Sequence, residues 1–143
     1  MAVTVTAYHS FKQKLGQAVF NFTSDTLKIV LLNASYTPVA ASHDELADLT
    51  NEVANGNGYT TGGVALANKT WTLAAGVMKL DADDASWAAS GGDIGPARYG
   101  VLYDDTVSGD PLICYIDFGA DKTAGDGTSF IIRWDSAGVL TLT

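Results

Sequence analysis

His9, His43, Cys114 and two knots of aspartate are the residues of this chain whose types could do chemistry. Acyl-transfer chemistry needs a Ser or Cys beside a His that a third group orients. Neither histidine flanks a Gly-x-Ser-x-Gly turn, and His43 lies in the run Ser42-His43-Asp44-Glu45, whose Ser and Glu stand three apart as in a helix-capping box. Cys114 sits within Leu112-Ile113-Cys114-Tyr115-Ile116, so it reads as a buried, inert thiol, and a single cysteine permits no intrachain disulfide. One Cys and two distant His supply no zinc-ligand spacing. Asp81, Asp83 and Asp84 form one acidic cluster, and Asp104, Asp105 and Asp110 form another. Hard cations take such ligands, but the first cluster lacks the Gly and Glu of an EF-hand loop, and both read as solvated turns.

The segment Asn55-Gly56-Asn57-Gly58-Tyr59-Thr60-Thr61-Gly62-Gly63 has the glycines of a phosphate loop but not its Gly-Lys-Ser/Thr ending. It reads as a flexible surface loop. Trp71, Trp87 and Trp134 could form a sugar platform, yet at strand spacing aromatic residues more often fill a core. The sequence thus points to no catalytic residue, no metal ligand and no cofactor.

The elements that would position these residues are mostly strands. The chain has 143 residues, about one domain, and 47% of them are hydrophobic, enough for a real core. Thr26 to Leu32 is apolar on both faces, as a central covered strand should be. Further strands are expected over Val64 to Leu73, Val77 to Asp81, Ala97 to Tyr103, Pro111 to Phe118 and Ser129 to Trp134. In the last of these Phe130, Ile132 and Trp134 alternate with Ile131 and Arg133. Asp135-Ser136-Ala137-Gly138 is a hairpin-type turn into Val139 to Leu142. Phe11, Leu15 and Val19 recur at helical spacing, predicting one short helix over Tyr8 to Phe20, and a short helix should follow the capping box through about Leu49. The fold class expected is mainly β, a compact β-sandwich or barrel-like sheet pair with one or two short helices, forming a single domain over residues 1–143.

Charge narrows the partners. Eight Lys+Arg against sixteen Asp+Glu give a formal net charge of −8. A protein that neutralises phosphates needs the opposite balance, so nucleic acid and anionic membrane are not expected partners. No apolar stretch is long enough to span a bilayer, and the first eight residues lack the basic and apolar regions of a signal peptide.

Taken in order, several segments resemble a family of short tailed-bacteriophage virion proteins. Leu27 to Asn33 followed by Ala34-Ser35-Tyr36-Thr37-Pro38 resembles its opening. Asn51-Glu52-Val53, Gly58-Tyr59-Thr60-Thr61-Gly62-Gly63 and Leu66-Ala67-Asn68-Lys69-Thr70 resemble its middle. Asp81-Ala82-Asp83-Asp84, Ala97-Arg98-Tyr99, Pro111 to Gly119 and Gly138 to Leu142 resemble its end. The likeness runs over about residues 8–143. It implies a non-enzymatic virion structural protein, specifically a capsid decoration (cement) protein on the outer capsid surface. It also implies a homotrimer that binds the major capsid protein and stabilises the shell. The alternative is a head-fibre, neck or tail-tip module that contacts a host glycan or another tail protein. In the cement reading, residues 1–8 form an extended N-terminal arm. Val3, Val5 and Tyr8 are then the partner-binding residues, adding a strand to a neighbouring subunit.

Overall fold

Residues 3–143 are described by a computed structural model. The β-branched, doubly apolar segment of the sequence is the organising strand: β2 (Leu27–Leu32) is buried at every position except Lys28. Lys28 escapes by pairing with Asp105, Nζ to Oδ2 at 3.0 Å. Including β2, the long sheet has five strands in the order β1 (Thr4–Ala7), β8 (Leu112–Ala124), β7 (Ile94–Asp104), β2 and β3 (Val64–Ala65). A second sheet has the order β10 (Leu140–Leu142), β5 (Val77–Asp81), β4 (Thr70–Ala74), and a third pairs β6 (Ala85–Ala88) with β9 (Ser129–Ile132). Every pairing is antiparallel. The mainly β expectation holds, with the strands divided among three sheets that share one core.

The departures from the expected elements are local. Helix α1 covers His9–Gly16, not the whole of Tyr8 to Phe20. Gln17 closes it and Ala18 turns left-handed at φ 59°, so Val19 leaves the helical face. Phe20 folds back on Phe11 instead, with ring centroids 5.2 Å apart. Ser42 caps nothing. The turn it was expected to start is a single 3-10 turn, Leu46–Asp48, and Asp48 supplies the acceptor for the Asp44 and Glu45 N–H groups at 2.9 and 3.2 Å. Those two donors hold the Asp48 carboxyl below the usual range. Val64 to Leu73 is not one strand. Asn68, at φ 51°, breaks it, so Val64–Ala65 joins β2 while Thr70–Ala74 forms a hairpin with β5.

The alternation expected over Ser129 to Trp134 is present as far as Ile132, where β9 ends, and Trp134 beyond it is half-buried. Phe130 and Ile132 are buried, and Ile131 and Arg133 are exposed. The turn at Asp135 to Gly138 also forms, with Gly138 N–H donating to the Asp135 carbonyl at 2.8 Å. Its two arms do not pair with one another, however. β9 pairs with β6 and β10 crosses to β5.

Candidate functional site

Three of the sequence's polar aromatic and imidazole groups are hydrogen-bonded in a chain. Tyr8 is fully buried, and its hydroxyl lies 3.1 Å from that of Tyr36. The Tyr36 hydroxyl in turn lies 2.8 Å from His43 Nδ1. Val39 N–H also points at that nitrogen, at 3.4 Å, which favours an unprotonated Nδ1 accepting from Tyr36. Burial raises both phenols above their ordinary range. This chain fastens the start of α1 to the Asn33–Glu45 loop, so His43 acts as a structural acceptor. Tyr36→Phe removes the partner of two groups at once and is expected to lower stability by about 1–3 kcal/mol, read by urea denaturation. His9 is exposed at the first position of α1. Cys114 is fully buried, and desolvation pushes its thiol up to about 12.

The remaining candidates are dispersed. Trp87 is buried against Tyr59 and Phe130, Trp71 stands edge-on to Phe22, and the Trp134 indole N–H donates to the Asp83 carbonyl at 2.9 Å. They serve three different contacts and do not form a common platform. Asp83 and Asp84 are exposed, as read, but Asp104 is fully buried and corrects the solvated-turn expectation. Among the described residues no three His, Cys, Asp or Glu converge as a metal-binding group.

The Gly-rich segment is also corrected. It is packed against two strands, not left free. Tyr59 is buried and its hydroxyl joins two elements, accepting from Leu31 N–H at 3.0 Å and donating to Glu52 Oε1 at 2.7 Å. Gly62 N–H donates to the same Glu52 oxygen at 2.7 Å, and Tyr103 donates to the Gly62 carbonyl at 2.6 Å.

Val3, Val5 and Ile131, three of the five large exposed hydrophobic residues among those described, gather at one sheet edge. Strand β1 lies on β8 in the register Thr4↔Asp117 to Ala7↔Cys114, and its other edge is unpaired. Val3 and Val5 are 60% and 47% exposed and point into a groove of about 680 Å³. Ile116 and Phe118 of β8 form its floor, β9 forms the opposite wall, and Lys122 and Arg133 stand on its lining. β9 pairs with β6 along one edge only, so its other edge is unpaired.

Of the three residues expected to bind a partner, Val3 and Val5 are exposed and Tyr8 is buried. The chain turns inward after Ala7, and Tyr8 is held by its hydroxyl and by its N–H, which donates to the Ile113 carbonyl at 3.1 Å. The expected arm over residues 1–8 is an edge strand of this chain's own sheet from Thr4 to Ala7, and residues 1–2 lie outside the described ones. Sequence reasoning missed Ile131 and Lys122 in this groove. The signal for Ile131 was available, since it is an apolar residue on the polar side of an alternating strand. No protein-family model, curated protein or solved structure matches the chain.

Proposed function

We propose that this chain is a non-enzymatic structural protein of a tailed-bacteriophage virion, a capsid decoration protein that docks on the major capsid protein at the outer shell. The reading draws on the ordered resemblance through residues 8–143. The structural observation that carries it is the open edge, where Val3, Val5 and Ile131 stay exposed along an unpaired strand pair. Exposed apolar residues concentrated at a free sheet edge are the material of protein–protein docking, because an added strand satisfies both the backbone groups and the side chains. His43, the cysteine and the Gly-rich segment are tied into internal contacts, which suits a part whose work is mechanical. Major capsid protein is the partner, copies act together as a trimer, and neither nucleic acid nor membrane is engaged.

Quantitative mass spectrometry of purified particles tests this. Hundreds of copies per particle are expected, and loss of the protein should lower the temperature at which the shell releases its genome. A handful of copies would place the chain at a neck or tail tip and overturn the decoration reading.

A further inference from the structure

Asp104 keeps one oxygen that nothing in the chain satisfies. The residue is fully buried at the end of β7, and its Oδ2 has no hydrogen-bond partner. Its Oδ1 is committed, accepting from the Thr106 and Val107 N–H groups at 2.9 and 3.2 Å. Leaving a buried carboxylate oxygen unpartnered is costly, so the vacant lone pairs point to something that takes them up.

The group in contact with Asp104 is a second carboxylate, Asp25, in the segment that enters β2 and only 8% exposed. Asp25 is organised in the same way. Its Oδ2 accepts from Asn21 N–H at 2.7 Å, while its Oδ1 has only the Ser24 hydroxyl at 3.4 Å. Each carboxylate is fixed to the backbone through one oxygen and keeps the other free. That is the outer support that orients carboxylate ligands in metal sites. Two such anions brought together out of water need a proton or a positive charge between them. No side chain of the adjoining segments supplies the charge. Residues 21–32 and 103–110 hold Asp25, Asp104, Asp105 and Asp110 against Lys28 alone, and Lys28 is engaged by Asp105 at 3.0 Å. The Glu45 carboxylate, beside Gly109, adds one more negative charge. Ser24, Thr26 and Thr106, which flank the pair in sequence, are exposed, so water and small ions have a short path to it.

We propose that Asp25 and Asp104 form a binding site for one hard divalent cation, Mg²⁺ or Ca²⁺, which clips the segment entering β2 to the turn leaving β7. One or two carboxylates, with water in the remaining positions, are a ligand set that Mg²⁺ accepts, so the site does not need a third acidic group. The same two segments already meet through their backbones. Thr26 N–H donates to Thr106 Oγ1 at 2.8 Å, and Asp105 N–H donates to the Thr26 carbonyl at 2.9 Å. The cation adds a side-chain link to that junction. In EDTA a shared proton is the pair's only bridge, so stability lost as the pair gives up its proton belongs to the cation-free chain.

The test uses the purified full chain at pH 7.5. It is melted in EDTA, then with millimolar MgCl₂ or CaCl₂, and with NaCl at matched ionic strength. At least one divalent cation should raise Tm by about 3–5 °C beyond the NaCl control. Titration calorimetry should give one ion per chain. Asp104→Asn and Asp25→Asn should each lose the shift, with circular dichroism checking that both stay folded. Asp110→Asn removes a nearby charge outside the pair and should keep it. A Tm that follows ionic strength alone, an equal shift in Asp104→Asn, or loss of the shift in Asp110→Asn would each overturn the proposal.

Discussion

Gly63→Ala is expected to destabilise the protein by about 4 kcal/mol or more, while Gly76→Ala costs only about 1–2 kcal/mol. The two glycines share a backbone conformation, φ +80° and +79°, so the strain of placing an L side chain there is common to both. They differ in what the new Cβ meets. At Gly76 nothing lies within 4 Å, whereas at Gly63 the new Cβ would overlap the Ile29 carbonyl oxygen and lie 2.9 Å from Val30 Cα. Both are backbone atoms of β2, the most buried strand, and no rotamer change relieves the clash. Either β3 must come off β2, losing the pairs Lys28↔Ala65 and Ile29↔Val64, or β2 must shift within a packed core. Urea denaturation of the pair isolates the close approach, because the conformational cost cancels in the difference. Equal losses in the two variants would show that the approach at Gly63 is not tight.

That glycine also marks where sequence reading stops. Period-two patterning depends on each residue's own side chain, so β9 and the doubly covered β2 were legible from Phe130, Ile132 and the Leu27 to Leu32 run. A glycine has no side chain to pattern. Whether it gives a loose loop or a close backbone contact depends on what lies across from it, here a strand more than thirty residues earlier in sequence for Gly63. Gly58 raises the same difficulty, standing against the Ala88 carbonyl. Tyr8 fails for a different reason. Period two groups Ala7, not Tyr8, with Val3 and Val5, and β1 ends at Ala7, after which the chain turns inward and buries Tyr8. The turn at Asp135 was legible from local chemistry, although the partner strand each arm would find was not. For the groove, the sequence showed two of its apolar residues, Val3 and Val5. Its existence depends on β9 having a single neighbour, which is a property of topology.

Asp104→Asn is expected to leave the protein about as stable as the unmodified chain at pH 4 and more stable by about 2–3 kcal/mol at pH 7.5. Asp104 is fully buried at the end of β7, opposite Leu27 of β2. Its Oδ1 accepts from the Thr106 and Val107 N–H groups at 2.9 and 3.2 Å, while its buried Oδ2 has no donor. Asp25 is its carboxyl neighbour, itself buried and accepting from Asn21 N–H at 2.7 Å. Desolvation first, then the contact with Asp25, raises the Asp104 carboxyl from 3.8 to about 6. The folded state therefore holds a proton that the unfolded chain releases earlier. Stability from this group is fully present below about pH 4 and is lost as pH rises through about 6. Nearby charges do not reverse the sign. The Lys28 cation is engaged by Asp105, and Asp110 adds a further negative charge to the same turn. Asp48 and Asp117, held low by backbone donors and by Arg98 respectively, act in the opposite sense, but their stabilisation is lost only as pH falls below the ordinary carboxylate range. Both are surface groups, so that acid limb should be shallow. Asparagine keeps the acceptor for Thr106 and Val107 and gives Asp25 a donor that does not titrate. Urea midpoints measured from pH 4 to 8 should fall for the unmodified chain and stay level for Asp104→Asn. An equal fall in both proteins would place the titrating group elsewhere. An alanine at the same position should destabilise at every pH, since it removes the acceptor that orders the Asp105 to Asp110 turn along with the carboxyl that titrates.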